Sequence, residues 1–401
     1  MSNYSFSVMP SVSISRSRFE RKSQHKTSFN LGNIIPIYLE EVLPGDTHSL
    51  DMAALVRMST PIAPIMDNIY LDFFAFFVPN RLTWIHWKEF MGENSVSSGI
   101  PQVSYKIPYV DTNATIQVGS YGDYFGLPTG NSNILRNDKV SALPFRALGL
   151  IYNRWFRNQN VIAPLAIDTS DLNHILLGNS DGLAIDATKL LKASKLPDYF
   201  TKTLPYAQKG SPVSIPLGTT APIIVTSNDD PFTSSTDWLL GFAGNGTKAI
   251  SLGVNDNLKV IESGDPTSSN SAVLLADLSA ATASTINQLR YAFQLQKMLE
   301  KDALYGTRYW EILAAHFGVT APDASLQDPE YLGGARMHIN IDQVLSTAGY
   351  SPDSQSEVGA PGANSVSGFK GSMFTKSFVE HGYLIVVAVA RHDQTYGQQR
   401  I

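Results

Sequence analysis

Residues 69–79, with the sequence IYLDFFAFFVP, form a nearly continuous run of aromatic, aliphatic and β-branched side chains. Such a run favours a strand over a helix, because it is short and rich in residues that suit a pleated surface. A strand that lacks a polar face is buried on both of its faces. The segment therefore predicts a central strand, and Pro79 ends it because proline has no N–H to donate to a neighbouring strand.

Further strands are predicted before and after this segment. The apolar runs that begin at Ile34 are interrupted by Pro36, Pro44 and Pro61, which is typical of strands and the corners between them. Residues 382–391, GYLIVVAVAR, predict a second buried strand. Only 16% of the 401 residues are charged, which indicates a mainly β protein with extensive interfaces.

Four segments have the apolar spacing of short helices. They are NRLTWIHWKEFMG (80–92), LPFRALGLIYNRWFRNQN (143–160), INQLRYAFQLQKMLEKDALYG (286–306) and RYWEILAAHFG (308–318). The glycines that close the first, third and fourth segments are predicted to end those helices. Ser284 or Thr285 is the predicted N-cap of the third helix. Its predicted apolar stripe consists of Ile286, Leu289, Phe293 and Leu299.

The composition excludes several kinds of chemistry. The chain has no cysteine, which excludes disulfides, thiolate metal sites and a cysteine nucleophile. No metal-binding histidine spacing is present, and GFAGNGTK (241–248) departs from a phosphate-binding loop because Thr247 separates the second glycine from the lysine. The sequence therefore predicts no cofactor, no metal and no enzymatic activity. It also lacks an apolar run long enough to span a membrane.

Positive charge is concentrated near the N-terminus. The formal net charge is −5, yet residues 1–26 alone carry five cations and one anion. The cations are Arg16, Arg18, Arg21, Lys22 and Lys26. Spaced cations on a Ser-rich segment suit sequence-independent binding to phosphates, so residues 1–30 are predicted to be a basic arm that binds nucleic acid. The alternative is a solvated terminus that binds nothing.

A second group of cations alternates with aromatic residues. At helical spacing, Arg146 and Arg157 lie on one side of the helix predicted over 143–160, and Arg154 lies near them. These three arginines are predicted to bind DNA along a basic edge of the helix. Trp155 and Phe156 can stack on bases, but they lie on the apolar stripe, which favours a place in the core or in an interface.

Residues 207–285 differ in composition from the rest of the chain. They are rich in Gly, Ser, Thr and Asn, and they carry only Lys209, Lys248 and Lys259 against seven acidic residues. Short apolar runs such as APIIVT and AVLLADL argue against a disordered linker. The stretch is predicted to be an acidic insertion that has its own small β-rich fold and faces outward.

Long segments of the chain resemble one virus family. They include RSRFERKSQHKTSFNLG (16–32), residues 36–93, residues 143–160, LPYAQKGSPVSIPLG (204–218) and residues 286–334. Together these segments resemble the major capsid protein of the microviruses, and most of all its gokushovirus branch. Microviruses are small tailless bacteriophages with a single-stranded DNA genome.

The resemblance implies a fold and an assembly. The fold is an eight-stranded antiparallel jelly-roll barrel with long inserted loops and a few short helices. Sixty copies form a T=1 icosahedral shell around circular single-stranded DNA. Residues 1–30 are then an inner-surface arm, 31–206 the first part of the jelly-roll core, 207–285 an external protrusion for host attachment, and 286–401 the second part of the core.

The resemblance also implies partners. They are further copies of the chain, the DNA genome, an internal scaffolding protein, a small basic DNA-binding protein, a pilot protein and a host cell-surface receptor. The protein would be part of the virion, assembled in the bacterial cytoplasm. Family members usually continue beyond the 382–391 strand, so further polypeptide is expected after Ile401. The alternative function is a monomeric carbohydrate- or receptor-binding β-sandwich, with an enzyme as the third possibility.

Overall fold

A computed structural model describes the greater part of the chain. The described residues are 15–59, 67–93, 104–111, 116–130, 139–175, 190–196, 198, 200, 208–214, 223–227, 230–231, 249–252, 258–261, 273–276, 285–306, 308–320, 327–345, 347 and 361–394. The chain divides into two compact units. The first unit combines Met1–Thr203 with Thr307–Ile401, and the second is Leu204–Gly306.

Strands are more numerous than helices in the described part of the chain. In chain order the strands are β1 (Ile34–Val42), β2 (Thr47–Arg57), β3 (Ile69–Pro79), β4 (Tyr109–Asp111), β5 (Val140–Ser141), β6 (His174–Ile175), β7 (Ile223–Ser227), β8 (Asp230–Pro231), β9 (Ala249–Leu252), β10 (Leu258–Ile261), β11 (Val273–Ala276), β12 (Glu330–Ile339), β13 (Asp342–Leu345), β14 (Pro361–Asn364), β15 (Val366–Ser377) and β16 (Gly382–His392). The helices are α1 (Asn80–Thr83), α2 (Trp87–Phe90), α3 (Tyr121–Tyr124), α4 (Leu143–Ile151), α5 (Ile286–Leu304) and α6 (Tyr309–Phe317), and a π-helical turn (Tyr152–Phe156) continues α4.

The main sheet of the first unit has four antiparallel strands in the order β1-β16-β3-β12. The predicted strand β3 lies inside this sheet, and all of its residues except Phe74 are buried. The predicted strand β16 lies beside it and is almost as buried. The prediction of a central strand at 69–79 and that of a buried strand at 382–391 are both confirmed.

The main sheet is buried because both of its faces are covered. One face packs against the antiparallel pair of β2 and β15, called the β2–β15 ribbon below. The other face packs against α4 and the loops around it. The side chains of β3 alternate between the two cores: Leu71, Phe73, Ala75 and Phe77 face the ribbon, and Phe76 and Val78 face α4.

The fold class is therefore mainly β, with antiparallel sheets and few helices, as predicted. The described residues do not form a closed barrel, because the main sheet and the β2–β15 ribbon are separate sheets. The eight-stranded jelly roll stays a prediction. The second unit contains two small antiparallel sheets, β11-β7-β8 and β10-β9, together with α5.

Two of the predicted helices differ from their sequence pattern. The segment 80–92 forms two single turns, α1 and α2, rather than one helix. The helix breaks at Trp84, where the backbone is extended and the buried indole donates a 2.6 Å hydrogen bond from Nε1 to Asp171. Regular α-helix in 143–160 ends at Ile151 and widens into the π-helical turn. Helical arithmetic at 100° per residue therefore fails beyond that point.

The two later helices form as predicted. Thr285 caps α5 through a capping box with Gln288, and Gly318 closes α6 in the left-handed conformation, with φ of 68°. The predicted stripe of α5 is wrong in part. Ile286 and Phe293 are 69% and 64% exposed, so they do not belong to the inward side of α5. The other two predicted residues, Leu289 and Leu299, are partly buried, and Ala303 is buried with them.

Gly333 lets the main sheet approach the β2–β15 ribbon closely. The pairing register of β12 shifts between Tyr331 and Gly333, and that of β15 shifts between Ser372 and Phe374. A Cβ atom at Gly333 would collide with the carbonyl oxygen of Met373, which lies at the shift in β15. The glycine is therefore required by the close approach of two backbones.

Replacing Gly333 by alanine is expected to lower the free energy of unfolding by about 2 kcal/mol, because backbone atoms must move apart. Gly368→Ala in β15 is the matched control, since a Cβ there meets nothing within 4 Å. Thermal unfolding of both variants is the measurement. Equal melting temperatures for the two variants would contradict the role given to Gly333.

Candidate nucleic-acid interface

The described part of the arm has no regular secondary structure, but two of its cations fix it to the first unit. Arg16 donates from Nη1 to the carbonyl oxygen of Gly45 at 3.0 Å. Arg21 forms an ion pair with Glu40 of β1, and this carboxylate also accepts a 3.0 Å hydrogen bond from Tyr38. Arg16 and Arg21 therefore act as anchors of the arm.

The other three cations of the arm are solvated. Arg18 and Lys26 are exposed and have no ion-pair partner within the described ranges. Lys22 lies 3.5 Å from Glu20, and both side chains are more than three-quarters exposed. An ion pair this exposed contributes little stability, so Lys22 is easily recruited by another anion. The structure thus separates the predicted DNA-binding cations of the arm into two anchors and three solvated groups.

Arg146 does not lie on a basic edge of the helix. Its side chain is fully buried, and it donates hydrogen bonds to three backbone carbonyls: Thr83 at 3.2 Å, Ser170 at 2.9 Å and Leu172 at 2.9 Å. The predicted edge is wrong here because α4 is buried on nearly all sides, not along one stripe. Arg146 joins α4 to α1 and to the loop that contains Ser170.

Arg154 and Arg157 each have a partner within the protein. Arg154 forms a 2.5 Å ion pair with Asp328, and Arg157 donates from Nη1 to the carbonyl oxygen of Ile162 at 2.5 Å. Burial lowers the pKa of Arg154 and raises the pKa of Asp328, while the opposite charges of the pair partly offset both shifts. The three helix arginines therefore share no common surface, and DNA binding by any of the eight predicted residues stays a prediction.

The two aromatic residues Trp155 and Phe156 of the π-helical turn differ in burial. Phe156 is buried, in agreement with the expected place in the core, whereas Trp155 is 39% exposed. Trp155 donates from Nε1 to the carbonyl oxygen of Pro329 at 2.9 Å, and the guanidinium of Arg308 lies 5.5 Å from its ring centroid. The ring also contacts Tyr331, a residue that no sequence pattern singled out.

The described residues contain neither a membrane helix nor a metal cluster. None of the described helices has the length and apolar character needed to cross a bilayer. Within the same part of the chain, no group of three or more His, Asp or Glu side chains is placed to hold a metal ion. The glycine-rich segment 241–248 lies outside the described residues.

Comparison with known proteins identifies the family. The family model of a phage capsid protein, the F protein, matches residues 7–400. The chain belongs to this capsid protein family. It is 40% identical to capsid protein VP1 of Bdellovibrio phage phiMH2K over 411 residues, which cover 98% of this chain and 72% of that protein.

Two further relatives agree with this assignment. Capsid protein VP1 of Chlamydia phage 1 is 35% identical, and the alignment covers 98% of this chain and 74% of that protein. Capsid protein VP1 of Spiroplasma virus 4 is 34% identical, with coverage of 98% and 72%. The protein is therefore a phage major capsid protein, a structural component of the virion and not an enzyme, as the resemblance implied.

Arg146→Met is expected to lower the free energy of unfolding by about 3 kcal/mol, because three carbonyl groups lose their donor inside the protein. Arg157→Met is the control, with an expected cost of about 1 kcal/mol, since its partner carbonyl is at the surface. Denaturant unfolding of the purified chain measures both. If Arg146→Met costs no more than Arg157→Met, the buried role of Arg146 is refuted.

Proposed function

We propose that sixty copies of this chain form a T=1 icosahedral shell around circular single-stranded DNA, as in the gokushovirus branch of the microviruses. The observation that carries this proposal is the capsid family match, which spans nearly the whole chain. Exposed apolar side chains support self-association: Ile286 and Phe293 on α5 and Phe317 on α6 are all more than 60% exposed. Large apolar groups left open on one chain are typical of surfaces that bind another.

The strand order supports the eight-stranded jelly roll. In that fold the two sheets have the strand orders 1-8-3-6 and 2-7-4-5. When β1, β2, β3, β12, β15 and β16 take places 1, 2, 3, 6, 7 and 8, the observed orders become 1-8-3-6 and 2-7. Places 4 and 5 then belong to the long segment between β3 and β12. Residues 31–206 and 286–401 would supply the two parts of this core.

The insertion 207–285 is proposed to lie outside the shell and to attach the particle to a host cell-surface receptor. Its acidic composition supports an external position, away from the DNA. The compact second unit, Leu204–Gly306, supports its treatment as a separate module. An internal scaffolding protein, a small basic DNA-binding protein and a pilot protein are proposed as assembly partners.

Assembly and attachment can be tested together. The full chain and a variant that lacks residues 218–284 are both expected to form closed shells of uniform size when coexpressed with the scaffolding partner. Light scattering and negative-stain imaging measure assembly, and adsorption to host cells measures attachment. Only particles with the insertion should adsorb. A stable monomer would contradict the shell proposal, and normal adsorption without the insertion would contradict the attachment proposal.

DNA contact is proposed for the arm at the inner surface of the shell. Arg18, Lys22 and Lys26 are the proposed phosphate contacts, and the engagement of Arg16 and Arg21 with the protein supports this choice. Arg154 and Arg157 have partners, and Arg146 is buried, so the proposal rests on the arm.

The variant Arg18→Ala/Lys22→Ala/Lys26→Ala is expected to assemble normally but to package less DNA. For a single-stranded oligonucleotide, the slope of log K against log salt should become shallower by about 2, since three phosphate contacts are lost. The double variant Arg16→Ala/Arg21→Ala is the comparison. It should mainly detach the arm from the protein, which increased cleavage of the arm by a protease would show. Unchanged DNA content in triple-variant particles would exclude the arm as the contact.

A further inference from the structure

The strand β2 lies at the edge of its sheet. It pairs with β15 along one side, and no other strand of the described residues pairs with its second side. In the proposed jelly roll β2 takes place 2 of the order 2-7-4-5, which is also an edge. The backbone N–H and C=O groups along such an edge can pair with a strand of another chain.

The sequence of β2 lacks three features by which natural proteins block an edge strand. Its eleven residues, THSLDMAALVR, contain neither proline nor lysine. It also has no bulge, because the register shift of the β2–β15 ribbon lies in β15, between Ser372 and Phe374. A long, regular edge strand of this kind is suited to the addition of another strand.

Both faces of β2 leave apolar side chains in contact with water. On the core side Leu50, Met52, Ala54 and Val56 pack against the core shared with the main sheet, yet all four are only partly buried. On the solvent side every second residue is exposed, and Leu55 is 74% exposed. A further strand beside β2 would therefore bury apolar surface on both faces.

Two opposite charges stand apart on the solvent side of β2. Asp51 and Arg57 are both exposed, and neither has an ion-pair partner within the described ranges. They cannot pair within one strand, because six residues of a strand span about 20 Å. On β15 they lie opposite Ser372 and Val366, which carry no charge. An antiparallel strand with the same two charges at the same spacing would pair with both.

A second copy of β2 is such a strand. When the two copies are related by a two-fold axis, with Ala54 opposite Ala54, Asp51 of each copy lies opposite Arg57 of the other. The neighbouring pairs are Ala53 with Leu55 on the solvent side and Met52 with Val56 on the core side. Opposite charges and apolar pairs are the cross-strand contacts that stabilise antiparallel sheets.

The other symmetric registers are less complementary. Solvent-side residues must stay opposite solvent-side residues, so the axis can move only from one residue to the next. With the axis at Asp51, two aspartates would face each other and repel. With the axis at Ala53, Asp51 would face Leu55 and Arg57 would face Ser49. The register centred on Ala54 is therefore the one in which the two charges neutralise each other.

We propose that β2 pairs with β2 of a second copy across a two-fold axis at Ala54, so that two β2–β15 ribbons form one four-stranded sheet. The proposal rests on the proposed icosahedral shell, in which two-fold axes relate copies in pairs, and it names the contact at those axes. A contact across a two-fold axis must be self-complementary. The charges and apolar residues of β2 meet this requirement, which favours a second copy over a strand of another protein.

The first test measures dimers of the purified full-length chain by sedimentation velocity. The wild-type chain is expected to form dimers. Asp51→Arg and Arg57→Asp each place like charges opposite each other twice, and each should weaken the dimer about tenfold. The double variant Asp51→Arg/Arg57→Asp restores the opposite charges and should recover the wild-type affinity. Asp342→Arg, at an exposed position of β13, is the matched control and should have no effect.

The second test traps the register with disulfides, since the chain has no cysteine of its own. A mixture of Ala53→Cys and Leu55→Cys chains should form a mixed disulfide dimer on oxidation, because these residues lie opposite each other in the proposed register. Each variant alone should crosslink less. Val379→Cys, at a position that is 88% exposed, reports random crosslinking. Melting temperatures within a few degrees of wild type are required of every variant.

The possible failures are distinguishable. A monomeric wild-type chain, a double variant as weak as the single variants, or a mixture that crosslinks no better than Val379→Cys overturns the pairing of β2. Closed shells that form despite any of these results leave the shell proposal intact. Dimers that respond as expected, from a chain that forms no closed shell with its scaffolding partner, contradict the shell proposal and leave the pairing of β2 standing.

Discussion

The main sheet can exist only if both of its faces are kept from water. β3 and β16 have almost no polar side chains, and each buried aromatic or aliphatic side chain contributes about 1.5 to 3 kcal/mol. The β2–β15 ribbon covers one face and α4 covers the other. This packing on both faces determines where the β2–β15 ribbon and α4 lie. It also determines which cations of the first unit are buried.

Covering the sheet explains why Arg146 lies inside. A helix pressed between the sheet and outer loops has little surface left for a charge, so the guanidinium is buried and takes three backbone carbonyls as acceptors. A buried charge is tolerated only when its hydrogen bonds are satisfied. Arg146 thereby holds α1 and the loop that contains Ser170 against α4.

Local signals were sufficient for much of the fold but not for the site. The apolar run of β3, the capping box at Thr285 and the left-handed Gly318 each depend on residues close in sequence, and each was predictable. The burial of Arg146 and the exposure of Tyr331 could not be predicted in this way. Both depend on contacts between distant segments, since Arg146 binds carbonyls from two other segments and the ring of Tyr331 rests on Phe76 and Trp155.

The cationic side chains of the first unit differ in whether they have a hydrogen-bond or ion-pair partner within the protein. Arg146, Arg154 and Arg157 have acceptors within the protein, and Arg16 and Arg21 tie the arm to it. Each of these contacts uses the charge to stabilise the fold itself. Arg18 and Lys26 differ, because they are exposed and have no ion-pair partner within the described residues. In the described part of the chain such groups occur on the exposed arm. The constraint that builds the core therefore also separates the cations that stabilise the fold from those that stay in contact with water.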